Sequence, residues 1–141
     1  MKKLPRTKNV IVLRTDYSNE EVWRSICSSI GKVEIISGSH VDYIEDVAYD
    51  NLSKEQILSC LDAYDQPCII LVDKVAMTQS DHPVLVVDLF HELGRDFRAI
   101  PSEVCSIENN LSLANMDFDE FAESAMEQGG VFKGFASTGA N

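Results

Sequence analysis

Three times along this chain a short capping side chain is followed, at the third helical position, by a glutamate or glutamine, with apolar residues on either side of the pair. The first is Ser18-Asn19-Glu20-Glu21, flanked by Tyr17 and Val22. The second is Ser53-Lys54-Glu55-Gln56, flanked by Leu52 and Ile57, and the third is Asp117 with Glu120, flanked by Met116 and Phe121. In each, two backbone amides at a helix start gain side-chain acceptors, and the flanking apolar pair fixes the angle at which the chain enters. Three helix starts at these points fix where the strand-like runs between them must fall, and that constrains the fold more than any other feature.

Helical spacing follows each start. Val22, Trp23, Ile26, Cys27 and Ile30 line one face of the first helix, with Gly31 as the expected stop. Ile57, Leu58, Leu61 and Tyr64 do so in the second, with Pro67 beyond its end; Phe118, Phe121, Ala122, Ala125 and Met126 do so in the third, which Gly129-Gly130 closes. The intervals carry strand-like runs. Val10–Leu13 and Cys68–Val72 are short and continuously apolar, as in strands covered on both faces. Val33–Ile36 and Val41–Ile44 are weaker, and Gly38 between them suggests a hairpin. Val84–Phe90 and Phe97–Ile100 read as an antiparallel pair joined through His91-Glu92-Leu93-Gly94-Arg95, with Pro101 limiting the return strand. Val131–Phe135 suggests a short last strand. The order implies a single-domain α/β sandwich over residues 1–141, with a mixed β-sheet, about three helices and a late antiparallel hairpin. Residues 1–8 read as a flexible basic lead-in, and 136–141 as a flexible tail.

Charge then narrows the function. Of 12 basic residues, Lys2, Lys3, Arg6, Lys8 and Arg14 fall in the first fourteen positions, which hold no acid. The remaining 127 residues set seven bases against 23 acids, a net −16. So acidic a body repels phosphate backbones, which argues against nucleic acid, and attracts basic proteins. No apolar run approaches the ~20 residues of a membrane span, and the basic start lacks a signal-peptide core; a cytoplasmic location away from membranes is expected. Cys27, Cys60, Cys68 and Cys105 show neither CxxC nor metal-ligand spacing and read as reduced, buried thiols.

Two candidate sites remain. Aspartates close three apolar runs, at Asp16, Asp73 and Asp88, and Asp16 with Asp73 could hold a divalent metal at the carboxyl ends of parallel strands. That is the minor reading, a small metal-dependent hydrolase, because no glycine-rich phosphate loop accompanies the aspartates and Asp16 has a structural use near the first helix start. His40, His82 and His91 lie in loop contexts and point to no catalytic pair. The major reading places a docking surface on the segment from Pro101 to Asp117, expected as a loop. Glu103, Glu108, Asn109, Asn110, Asn115 and Asp117 crowd it, with Asn109-Asn110 expected to form a turn. Arg98 is expected to clamp that loop through Glu103 or Glu108, or else to recognise an anion. This gives a non-enzymatic interaction module of immunity or antitoxin type for a basic protein, without a cofactor. A structural subunit or homodimer is the third expectation.

The chain also resembles a known family. The stretches that carry the likeness are Leu4-Pro5-Arg6-Thr7, Val12-Leu13-Arg14-Thr15-Asp16, His82-Pro83-Val84-Leu85-Val86-Val87-Asp88-Leu89 and Glu108-Asn109-Asn110-Leu111-Ser112-Leu113-Ala114-Asn115-Met116-Asp117-Phe118. Phe97-Arg98, Pro101-Ser102-Glu103, Glu120-Phe121-Ala122 and the closing Gly130-Val131-Phe132-Lys133-Gly134-Phe135 add to it. With them the chain resembles small, acidic, single-domain bacterial proteins classed as a domain of unknown function. The resemblance implies one domain over nearly the whole length and assigns no catalytic residue.

Overall fold

The computed structural model describes residues 1–63 and 65–135. Six strands, β1 (Val10–Arg14), β2 (Val41–Ile44), β3 (Cys68–Val72), β4 (Val84–Asp88), β5 (Asp96–Ala99) and β6 (Val131–Phe132), form one sheet in the order β2-β1-β3-β4-β5-β6. β1 is parallel to both β2 and β3, whereas β4 is antiparallel to β3 and to β5, and β6 is parallel to β5. The mixed sheet and the late hairpin are as the sequence implies. The helices number five among the described residues: α1 (Glu20–Ser37), α2 (Lys54–Ser59), α3 (Lys74–Thr78), α4 (Val104–Ser112) and α5 (Phe118–Glu127).

Side chains alternate across each strand, so two cores form. Val10, Val12, Ile70 and Val86 face α1, α4 and α5 through Trp23, Ile26, Ile30, Ile107, Phe118 and Phe121. Ile11, Leu13, Ile69, Leu71 and Val87 face the other way, onto Tyr49, Ile57 and Cys60. Helical cover on both faces explains why β1, β3 and β4 read as unbroken apolar runs.

The first helix departs from expectation at both ends. Its cap is Asn19, whose side chain accepts the Val22 amide, and Ser18 instead bonds Asp16. Gly31 does not stop it: the helix runs through to Ser37 and ends at Gly38, which adopts φ 75° and donates its amide to the Glu34 carbonyl. A mid-helix glycine costs only about 1 kcal/mol, and burial of Ile30 with partial burial of Val33 on the same face outweighs it. Val33–Ile36 is therefore helix rather than strand, no hairpin forms at Gly38, and β2 returns parallel to β1 as a crossover.

Ser53 and Gln56 form the expected capping box, but α2 stops at Ser59; Tyr64, assigned to its inner face, lies outside the described residues. The third box, Asp117 with Glu120, is also present. The basic N-terminal segment is held down rather than loose, because Leu4 is buried, its amide donates to the Cys60 carbonyl, and the Tyr49 hydroxyl donates to the Lys3 carbonyl. β6 is shorter than the expected 131–135, and the 136–141 tail lies outside the described residues. At the β2 margin the two Glu34 carboxylate oxygens accept the Val41 amide at 3.1 Å and the Tyr43 hydroxyl at 2.6 Å.

Candidate functional site

Sheet polarity sorts the candidate residues to two opposite ends. β1 and β3 are neighbours and parallel, so Asp16 and Asp73 follow them at the same end. Asp88 closes the antiparallel β4 opposite Cys68 and so lies at the other end. The three strand-end aspartates therefore do not converge.

Each has a structural partner already. Asp16 accepts the Ser18 amide and hydroxyl, a turn that sets up the first helix. Asp73 caps α3 by accepting the Ala76 amide and receives both Arg98 terminal nitrogens at 2.8 Å in a bidentate pair. Arg98 thus clamps β5 to the start of α3, and also reaches the Pro83 carbonyl, rather than holding Glu103 or Glu108. Its carboxylate partner is therefore Asp73, outside the 101–117 segment where the sequence reading looked for it. Among the described residues no group of three or more His, Cys, Asp or Glu side chains is placed to hold a metal ion. At this end of β1 and β3 lies an open polar crevice of about 360 Å³ lined by Asp16, Tyr17, Ser18, Asp50, Asn51 and Lys74.

Arg14, read from sequence only as part of a basic start, turns out to be the deepest charge at this end, 1% exposed. Its guanidinium donates to the Asp16 carbonyl, to Glu20 at 2.8 Å and to Glu45 at 2.6 Å, and lies 4.2 Å from the Tyr17 ring centroid. The hydrogen bond from Arg14 holds the Glu20 carboxyl below the usual range. A buried arginine with two carboxylates ties the first helix and the segment after β2 to the end of β1.

The expected 101–117 loop is mostly helix. Pro101–Glu103 is a single 3-10 turn, and α4 follows directly. Ile107 and Leu111 continue the apolar face begun by Val104, so packing against α1 favours helix over the Asn-rich turn. The nine residues of α4 span roughly 14 Å, carrying Glu103 to one end of the sheet and Asp117 to the other. Glu103 is partly buried, and burial raises its carboxyl above the ordinary range. Glu108 accepts the Ser39 hydroxyl at 2.8 Å, which ties α4 to the end of α1. Asn109 is exposed, and the Asn110 side chain donates back to the Ser106 carbonyl. The turn falls later than expected: Ala114 takes φ 56°, and the Asn110 carbonyl accepts the Asn115 amide. Arg98, held by Asp73, and Glu103 thus lie at the end of the sheet opposite Asp117, while Asn115 and Asp117 stay together.

Asp117 instead joins residues the sequence reading treated as a mere connection. Asp88, 1% exposed, accepts the amides of Phe90, His91 and Glu92 at 2.9, 3.1 and 2.8 Å, folding the β4–β5 loop back on itself. Gly94 completes the loop at φ 89°. Between this loop and the start of α5 lies a cleft of about 200 Å³ lined by Asp88, His91, Glu92, Arg95, Asp117 and Asp119. Arg95 pairs with Asp119, and His91 Nε2 lies 3.9 Å from the Asp117 carboxylate. Four carboxylates and one guanidinium therefore line the cleft. Beside it, sharing Asp88, His91 and Asp117, is a second cavity of about 120 Å³ walled by Pro67, Phe90, Leu111, Met116 and Phe118. Phe90 is 74% exposed and Leu113, in the α4–α5 turn, is 62% exposed. The sequence signal for this region was an aromatic and a histidine two and three positions after a strand-closing aspartate.

An open α/β domain with parallel strands on one side and an antiparallel hairpin on the other, bearing an acidic cleft at the hairpin end, is the class these features define. The chain belongs to the family described as Domain of unknown function (DUF6924), whose model matches residues 9–135. No curated protein matches the chain. No helix among the described residues is long and apolar enough to cross a membrane.

Proposed function

We propose that this protein is a non-enzymatic interaction module that binds a basic protein through the hairpin end of its sheet. The observation that carries this reading is the cleft lined by Asp88, Glu92, Asp117 and Asp119 with Arg95, beside an apolar cavity walled in part by the exposed Phe90. Charge at the rim steers an oppositely charged partner into encounter, and apolar side chains beside it supply area that is buried on contact. The carboxylates at the other end are less free: Asp16 and Asp73 are engaged by local amides, and Asp73 also by Arg98. That supports binding over a metal-dependent hydrolase using Asp16 and Asp73. Size and a net charge of −11 fit an immunity or antitoxin-like role, in which acidic side chains fill a basic cleft of a toxin.

The test is affinity capture with the immobilised full chain, followed by identification of what elutes. A basic protein released by raised salt, and lost when Glu92→Lys and Asp119→Lys are combined, is the expected result. Capture indifferent to both salt and charge reversal refutes the reading.

A further inference from the structure

Residues 1–7, ahead of β1, join neither a helix nor the sheet. Leu4 is their one buried side chain, 3% exposed, packed in the core cluster that holds Tyr49, Ile57 and Cys60. Two hydrogen bonds set the depth of that anchor. The Leu4 amide donates to the Cys60 carbonyl at 2.8 Å, and the Tyr49 hydroxyl donates to the Lys3 carbonyl at 2.8 Å. Around the anchor, cations of the segment meet carboxylates of the body: Lys2 pairs with Asp46, Lys3 with Asp62 at 3.3 Å, and Arg6 with Asp65. All six of these side chains are at least 30% exposed, so each pair is weak and screened by salt. Beyond them the Gln66 side chain donates to the carbonyls of Thr7 and Lys8, which fixes the junction with β1. A void of about 20 Å³ remains beside the anchor, bordered by Leu4, Ile11, Leu61 and Leu89, so the apolar seat is not filled to the density of a core.

We infer that this seat is a groove for an extended basic segment with one aliphatic anchor. Lys2-Lys3-Leu4-Pro5-Arg6 holds it as a detachable strap, and a partner's segment of the same chemistry takes it when the strap lifts. The preference is read from the occupant already present, whose cations meet Asp46, Asp62 and Asp65 and whose leucine fills the apolar seat. Pro5 keeps the strap extended, because the residue before a proline is held out of helical backbone. A free segment with the same step is therefore preorganised and loses less freedom on docking. The hold on the strap suits exchange: it rests on one apolar anchor and three exposed ion pairs, and its release breaks no strand ladder. A lifted strap leaves three carboxylates without their cations beside uncovered apolar surface, a combination that selects a basic occupant over an acidic one. That the groove fits a basic segment stands on its own contacts; that a partner supplies one rests on the interaction-module reading.

The experiment compares the full chain with its Leu4→Asp variant, which removes the anchor from the strap and leaves every groove residue in place. The probe is the blocked hexapeptide acetyl-Lys-Lys-Leu-Pro-Arg-Thr-amide, followed through amide shifts of the isotopically labelled protein. Saturable shifts at residues 46–49, 60–63 and 65–66 are expected in the variant. The parent should bind the probe at least about tenfold more weakly, since its tethered strap competes at an effective concentration of about a millimolar. A probe with aspartate in place of leucine should give no shifts. Adding Asp62→Lys and Asp65→Lys to the variant should weaken the original probe at least about fivefold, as loss of two exposed pairs does. In the unaltered chain the Leu4 amide should exchange with solvent at least about a hundredfold faster than the Ile70 amide, because lifting the strap is a local event. Exchange of Leu4 as slow as that of Ile70, loss of the fold in the Leu4→Asp chain, or a folded variant that ignores the probe overturns the inference. Self-association of the variant in place of probe binding makes a second copy the occupant and overturns it as well. Probe binding without capture of any basic protein keeps the groove and refutes the interaction module; capture that charge reversal at Glu92 and Asp119 abolishes, without probe binding, does the reverse.

Discussion

Replacing Asp88 by alanine tests whether the hairpin end of the sheet is built by one buried carboxylate. The side chain is 1% exposed and accepts three backbone amides, from Phe90, His91 and Glu92. Hydrogen bonds to a charged acceptor contribute about 1.5–3 kcal/mol each. Their full sum overstates the loss, because the alanine variant regains the desolvation of a buried charge and the freed amides lie in a loop that water can reach. About 3–4 kcal/mol of destabilisation is expected, a large share of the roughly 5–15 kcal/mol by which such domains are stable. Asparagine gives an internal control. Its carbonyl oxygen can keep the Phe90 and His91 amides, while its NH₂ group meets the Glu92 N–H donor to donor; about 1–2 kcal/mol is expected. Urea unfolding at constant slope measures both changes, and hydrogen exchange at residues 90–92 should accelerate in step. An alanine variant within about 1 kcal/mol of the parent, or an asparagine variant as damaging as alanine, would refute the reasoning.

Three further outcomes follow from the geometry. Arg98→Lys should cost about 1 kcal/mol in urea unfolding, because an ammonium cannot reproduce the bidentate pair with Asp73, while Asp73→Ala should cost more by also uncapping α3. Glu103→Gln should raise the melting temperature at neutral pH: burial raises the folded pKa, so its charged form opposes folding above that pKa, and the advantage should vanish as pH falls below the ordinary value of 4.5. In the native protein the thiols should react slowly with an aromatic disulfide at pH about 8, since burial pushes Cys27 up to about 12 and Cys105 up to about 11; all four should react promptly in denaturant.

Local chemistry was legible where it acted alone. The boxes at Ser53 and Asp117 are as written, since a cap and its third residue settle a helix start without help from the rest of the chain. Val10–Leu13 and Cys68–Val72 announce strands buried on two faces for the same reason. Competition between local and distant effects was less visible. Gly31 is a stop signal by its own propensity, and yields because Ile30 and Val33 find a core that only the folded sheet provides. Asn109 and Asn110 favour a turn locally, yet lie on a helix whose other face carries Val104, Cys105 and Ile107 into that core. The site suffered most, because its members come from two segments that sheet polarity alone brings together. Arg98 illustrates the limit: its residue type signalled a carboxylate partner, and only the register of β3 against β4 and β5 names Asp73.

The carboxylate of Glu34 on the Val41 amide has a consequence for self-association. A four-residue border strand with alternating orientation offers about two outward donors, and one of them is already taken from within the same molecule. At the far border β6 is only two residues long. Among the described residues, neither margin offers a long open ladder onto which a neighbouring chain could zip, and short or internally satisfied border strands of this kind disfavour edge-to-edge pairing.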